Sequence, residues 1–203
     1  DYVDLYQCHR FDPETPVEET LRALDDFITQ GKVLYIGTSV WSAAQIVEAL
    51  RLQERLNLDR FASEQPQYSM LVRNIEREVM PLCEREGVGI IPWSPLAQGV
   101  LTGKYKAGEK PPPGSRAADP SSNMFMGDLL SEANLAKVEK LKPVAQRLGL
   151  SVAQLALAWC LRKPVVSSVI IGATRPEQVD DNVKASGVPL PQEELEHIEK
   201  ILA

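Results

Sequence analysis

A strand followed by a helix recurs five times along the chain, and that alternation limits the fold more than any single motif. The strand candidates are residues 3–9, 33–36, 61–65, 88–93 and 165–171. Most are near-continuous apolar runs, which marks strands buried on both faces of a parallel sheet. Between them, apolar residues return at helical spacing: Leu21, Leu24, Phe27 and Ile28; Ile46, Ala49, Leu50 and Leu52; Ile75, Val79, Leu82 and Cys83. The breaks carry turn chemistry. Thr15-Pro16-Val17-Glu18 predicts a capping box with proline at the first helical position, Ser42 and Asn74 predict further caps, and Gly31 and Gly87 predict helix ends. Helices are also predicted over 131–148, 151–162, 176–184 and 191–202. Residues 98–130 show no period and contain Pro111-Pro-Pro-Gly114, so they read as one long loop, of the kind that either covers an active site or is disordered.

Each predicted strand ends in polar residues or in glycine: His9, Ser39, Gln65, Trp93-Ser94 and Gly172-Ala-Thr174. In an eight-stranded (β/α)8 barrel, the TIM barrel, such ends form one face, where catalytic and binding groups collect. The reading is therefore an α/β chain of barrel type with these side chains on a shared rim. Residues 90–104 are the most informative stretch. Pro92 and Pro95 stop a ladder, because neither can donate a hydrogen bond, and an indole, a hydroxyl and an amide (Trp93, Ser94, Gln98) stand at the stop. Taken alone, this stretch fits a flat, polar-edged ligand or a core tryptophan with a Ser-Pro turn equally well. No Gly-x-Gly-x-x-Gly follows a strand, which disfavours a doubly wound dinucleotide fold.

The net charge of −6 argues against nucleic acid or an anionic membrane as the main partner. No 18-residue apolar run is present, so no membrane span is expected. Cys8, Cys83 and Cys160 are widely spaced and odd in number, which fits a reducing cytoplasm and predicts no metal site. Cys8 and His9 lie on opposite faces of their strand and cannot act as a nucleophile–base pair. The chain enters its first strand two residues from Asp1 and reads as a barrel domain cut open.

Several segments in order resemble the aldo-keto reductases. They are Asp4-Leu-Tyr-Gln-Cys-His9, Ile36-Gly-Thr-Ser39, Glu64-Gln65, Trp93-Ser-Pro-Leu-Ala-Gln-Gly99 with Gly103-Lys104, and Ile171-Gly-Ala-Thr-Arg-Pro-Glu-Gln178 with Asn182. The likeness runs the whole chain and is similar to the branch holding bacterial reductases and potassium-channel beta subunits. It implies a (β/α)8 barrel, of which this chain covers about the last five βα units as a single truncated domain, and an extended NADP(H) cofactor. It also implies reduction of aldehydes or ketones. By the same resemblance Ser39 and Gln65 hold the nicotinamide carboxamide, and Trp93 stacks on the ring. Ser94, Leu96, Gln98 and Lys104 follow the pyrophosphate, and Arg116 belongs to the covering loop. Gly172, Thr174, Arg175, Gln178 and Asn182 surround the adenosine end, with Thr174 and Arg175 on the 2′-phosphate. His9 would orient the substrate carbonyl and is the one catalytic candidate.

The chain also departs from the family pattern. The aspartate, tyrosine and lysine that complete the family's site belong to earlier strands and have no counterpart here, and Val40 stands where many relatives carry asparagine. The expectation is an NADPH-dependent reductase whose isolated 203-residue portion binds cofactor weakly and turns over nothing. The rival reading is a cofactor-binding regulatory subunit. A sheet sector of this kind also exposes unpaired edges, so association with a second copy is expected.

Overall fold

A computed structural model describes residues 1–121, 123 and 126–203. They form two compact units. The first comprises residues 1–67, 74–92 and 165–168, and the second comprises 68–73, 93–164 and 169–203.

The first unit is a parallel sheet with its helices in the crossovers. Its elements are β1 (Val3–Cys8), α1 (Val17–Thr29), β2 (Val33–Thr38), α2 (Ala43–Leu56), β3 (Phe61–Glu64), α3 (Val79–Glu86) and β4 (Gly89–Ile90). Strand order is β1-β2-β3-β4, every pairing parallel. Leu21 and Leu24 of α1, and Ile46, Ala49 and Leu50 of α2, bury the predicted stripes, and Ile36, Phe61 and Ile90 are buried on the strands. Ser42 forms the capping box of α2 with Gln45. Gly31 and Gly87 follow or cap their helices at φ of 68° and 69°, the left-handed region glycine enters without a Cβ clash.

Three local expectations are corrected. Thr15 does not cap α1: its hydroxyl donates to Asp12 Oδ2 at 2.8 Å, and Pro16 takes the cap position with no side-chain bond. Asn74 opens a 3₁₀ turn, Asn74–Glu76, and α3 starts only at Val79. The fifth strand does not form. Val166 makes one parallel bridge to Ile90 in this unit, and Ile170 makes one to Trp93 in the other. The reason is the shortness of β4. Ile90 N–H donates to Val165 O at 2.7 Å and accepts on its carbonyl from Ser167 N–H at 2.9 Å, and two residues on Pro92 has no donor.

β1 pairs with β2 alone among the described residues, and its outer edge is open. On β1 itself, Val3 (48% exposed) and Tyr6 (45%) leave apolar surface. Unpaired strand edges template intermolecular pairing. The 203-residue chain is expected to elute from gel filtration as a dimer or larger, and Val3→Lys to shift it toward monomer. A compact wild-type monomer would refute this.

The second unit is built on helices α4 (Glu132–Arg147), α5 (Val152–Leu161), α6 (Pro176–Val183) and α7 (Gln192–Leu202). α5 is buried from Gln154 to Cys160, and Ser151 caps it in a capping box with Gln154. α4 contributes Leu135, Val138, Leu141 and Val144 to the interior. It is tied to α7 by the forked Arg147–Glu194 pair, both bonds at 2.8 Å. The predicted 98–130 loop contains 3₁₀ turns at Ala97–Thr102, Arg116–Ala118 and Gly127–Leu130. Residues 122, 124 and 125 of that stretch lie outside the described residues. Among the described residues no single helix is long and apolar enough to cross a membrane.

Candidate functional site

In the first unit, successive strand ends bring Ser39 and Gln65 together. Ser39 Oγ donates to the Gln65 carbonyl at 2.9 Å, and Gln65 N–H donates to the Thr38 carbonyl at 2.8 Å. The Gln65 side chain is oriented from β1, because Gln7 Nε2 donates to its Oε1 at 2.6 Å while Ser63 Oγ donates to Gln7 Oε1 at 3.1 Å. Gly37 lies in register between Gln7 and Ser63, and a Cβ there would collide with both polar groups. Gln65 Nε2 keeps its donors free among the described residues, so a ligand acceptor would satisfy it. His9 follows β1 and is exposed, and no hydrogen bond joins its ring to Ser39 or Gln65 among the described residues.

Beneath this pair lies Glu64, quoted in the sequence only as a neighbour of Gln65. It is fully buried. Its carboxylate accepts from Thr38 Oγ1 at 2.5 Å, Val40 N–H at 2.6 Å and Trp41 N–H at 3.3 Å. Burial pushes its pKa up, while those three donors and the Arg10 guanidinium pull it back. Burial, and then the Glu64 charge, raises the Cys83 thiol to about 12, and burial also raises Cys8. Neither thiol is a reactive nucleophile.

In the second unit, a cleft of about 1110 Å³ collects the rest of the expected groups. One wall carries Trp93, Ser94, Leu96, Gln98, Lys104 and Arg116, and the other carries Gly172, Thr174, Arg175, Gln178 and Asn182. The backbone of the first wall is wound into the left-handed region, with φ of 56° at Ser94, 47° at Ala97 and 58° at Gln98. Non-glycine residues there cost roughly 1–3 kcal/mol each, a pattern concentrated at ligand sites. Gln98 is held between two groups, donating through Nε2 to Ser94 Oγ and accepting on Oε1 from Arg116 Nη1. On the second wall, Gln178 Oε1 accepts from Thr174 N–H at 2.7 Å, and Arg175 precedes the first turn of α6. Gln154 Nε2 donates to the carbonyl and the carboxylate of Asp181, at 3.0 and 2.9 Å.

Ser115 and Asp181 are among the lining residues that escaped the sequence reading. Ser115 Oγ is buried with no hydrogen-bond partner among the described residues. An orphaned hydroxyl beside Arg116, in a cleft also lined by Lys104 and Arg175, suits a phosphate-bearing ligand. The cleft also slightly exceeds the size range of small-molecule sites, roughly 300–1,000 Å³. The residues present therefore fit a dinucleotide.

The sequence profile of the Aldo/keto reductase family matches residues 1–203. The chain belongs to the aldo/keto reductase family. Its similarity to a "Probable voltage-gated potassium channel subunit beta" of Arabidopsis thaliana is 48% identity over 189 residues, covering 93% of this chain and 57% of that protein. A protein of the same description from Oryza sativa subsp. japonica is 47% identical over 204 residues, covering 100% and 62%. Among solved structures, the glycerol dehydrogenase of Gluconobacter oxydans superposes with a TM-score of 0.84 at 28% identity, covering 100% of this chain and 59% of that one. The chain thus spans about three-fifths of the length of these aldo/keto reductase relatives. Its fold is the aldo/keto reductase TIM barrel, of which it carries a part, and the family is one of oxidoreductases.

Proposed function

We propose that this chain is the cofactor-binding portion of an NADPH-dependent aldo-keto reductase that reduces aldehydes or ketones to alcohols. The observation that carries the proposal is the second-unit cleft, where Ser115 Oγ has no partner among the described residues and Lys104, Arg116 and Arg175 supply positive charge. When bound, NADPH supplies a hydride to the carbonyl carbon. Trp93 offers a flat aromatic face that fixes which side of a nicotinamide is presented. Lys104 and Arg116 neutralise bridging phosphates, and Thr174 with Arg175 binds a 2′-phosphate next to the first turn of α6. Ser39 and Gln65 are assigned to the carboxamide by resemblance, with the free Gln65 amide as donor. His9 donates to the substrate carbonyl oxygen.

The test is titration of the 203-residue chain with NADPH and with NADH, followed by quenching of tryptophan emission. NADPH is expected to bind at least about tenfold more tightly, since the 2′-phosphate adds charge-assisted bonds. Equal affinity, or no binding, would refute the cofactor assignment. The plant relatives described as channel beta subunits favour a second reading, a cofactor-binding regulatory subunit. Turnover of a small aldehyde by the full-length protein supports the reductase, and NADPH binding without turnover supports the regulatory reading.

A further inference from the structure

Val40 is a β-branched residue at φ of 59° in the turn after β2, a conformation that L side chains resist and valine resists more than most. Something nearby must hold it there. Val40 is itself exposed, so its side chain contributes little packing to oppose the strain. Glu64 Oε1 accepts the Val40 and Trp41 N–H groups, and Oε2 accepts the Thr38 hydroxyl, so one buried carboxylate grips both sides of Ser39. Ser39 then reaches the Gln65 carbonyl, and Gln65 N–H returns to Thr38.

We propose that Glu64 is a positioning residue that clamps the Thr38–Trp41 turn, holds Val40 left-handed and so sets the direction of the Ser39 hydroxyl. This rests on the reading above for its link to the ligand, where Ser39 is a carboxamide partner. The clamp itself is independent of that reading. A buried carboxylate is well suited to the task. Two amides and a hydroxyl converging on one charge are charge-assisted bonds, roughly twice as strong as neutral ones. The arrangement is a single-residue version of an anion nest made from the protein's own side chain.

The experiment compares amide hydrogen exchange in wild type, Glu64→Gln and Glu64→Ala, reading Val40 and Trp41 against Ile36 and Leu50 of the same unit. Glu64→Ala is expected to speed exchange at Val40 and Trp41 about ten- to hundredfold relative to the reference amides. Glu64→Gln keeps an acceptor oxygen for both amides and is expected to stay within about tenfold of wild type. A uniform rise at all four amides would show a packing role and overturn the proposal, as would unchanged exchange at Val40 and Trp41. NADPH titration of the same proteins tests the link to the ligand. Affinity is expected to fall about tenfold in Glu64→Ala and to recover in Glu64→Gln. Unchanged affinity in Glu64→Ala beside a binding wild type would overturn the role in aiming Ser39. Absence of binding to wild type would overturn the cofactor reading alone, because the exchange result is decided without ligand.

Discussion

Trp159→Ala is expected to destabilise the second unit by about 3–5 kcal/mol, the range for deleting a fully buried large aromatic. Trp159 has 0% exposure. Its ring stacks on Tyr68 with centroids 5.3 Å apart, and the Arg162 guanidinium lies 3.6 Å from its centroid. Arg73 approaches the same ring at 5.1 Å, and both arginines pair with Glu199, at 2.6 and 3.6 Å. The indole N–H has no acceptor among the described residues, so the loss comes from packing and cation–π contact rather than from a hydrogen bond. Removing the ring leaves a cavity beneath two guanidinium groups that were held over it. Trp159→Phe keeps part of the stack and is expected to lose less than half as much. Urea unfolding followed by far-ultraviolet circular dichroism measures both. A Trp159→Ala loss under about 1 kcal/mol would show that the cluster does not organise the unit.

The second large effect belongs to ligand affinity. Arg116→Ala is expected to weaken NADPH binding about ten- to hundredfold while leaving stability within about 0.5 kcal/mol of wild type. Arg116 is exposed, and its Nη1 bond to Gln98 points it at the cleft rather than into a core. Its loss removes a cation facing the phosphates and releases Gln98 from one of its two anchors. Arg116→Lys keeps the charge but loses the planar fork, so an intermediate affinity is expected. Part of the effect should fade with added salt, since an exposed charge is screened. Equal NADPH affinity of wild type and Arg116→Ala at low ionic strength would remove Arg116 from the site.

Strand ends by themselves pointed to Trp93, Ser94, Gln98 and Gly172-Ala-Thr174 of the second-unit cleft, and the family resemblance added Leu96, Lys104, Arg175, Gln178 and Asn182. Arg116 was placed by resemblance alone, within a stretch that has no hydrophobic period. Ser115 was not legible: nothing distinguishes a serine destined to be buried and partnerless from one facing water. The role of Glu64 was not legible either, although the residue was quoted beside Gln65. Glutamate is seldom fully buried, and only neighbours distant in sequence make this one, at the end of β3, an acceptor of three bonds.

Local chemistry determined several of the helix boundaries. Ser42 and Ser151 cap because the glutamine three residues on closes each box, and Gly31 and Gly87 turn the chain because they lack a Cβ. The parallel order of β1 to β4 likewise followed from apolar strands alternating with amphipathic helices. Tertiary structure decided what depends on a partner distant in sequence. Residues 165–171 stayed unladdered because Pro92 leaves β4 too short to pair with them. Ser39 points at Gln65 because the carboxylate of Glu64, 24 residues from Val40, holds a backbone angle that valine would not adopt unaided.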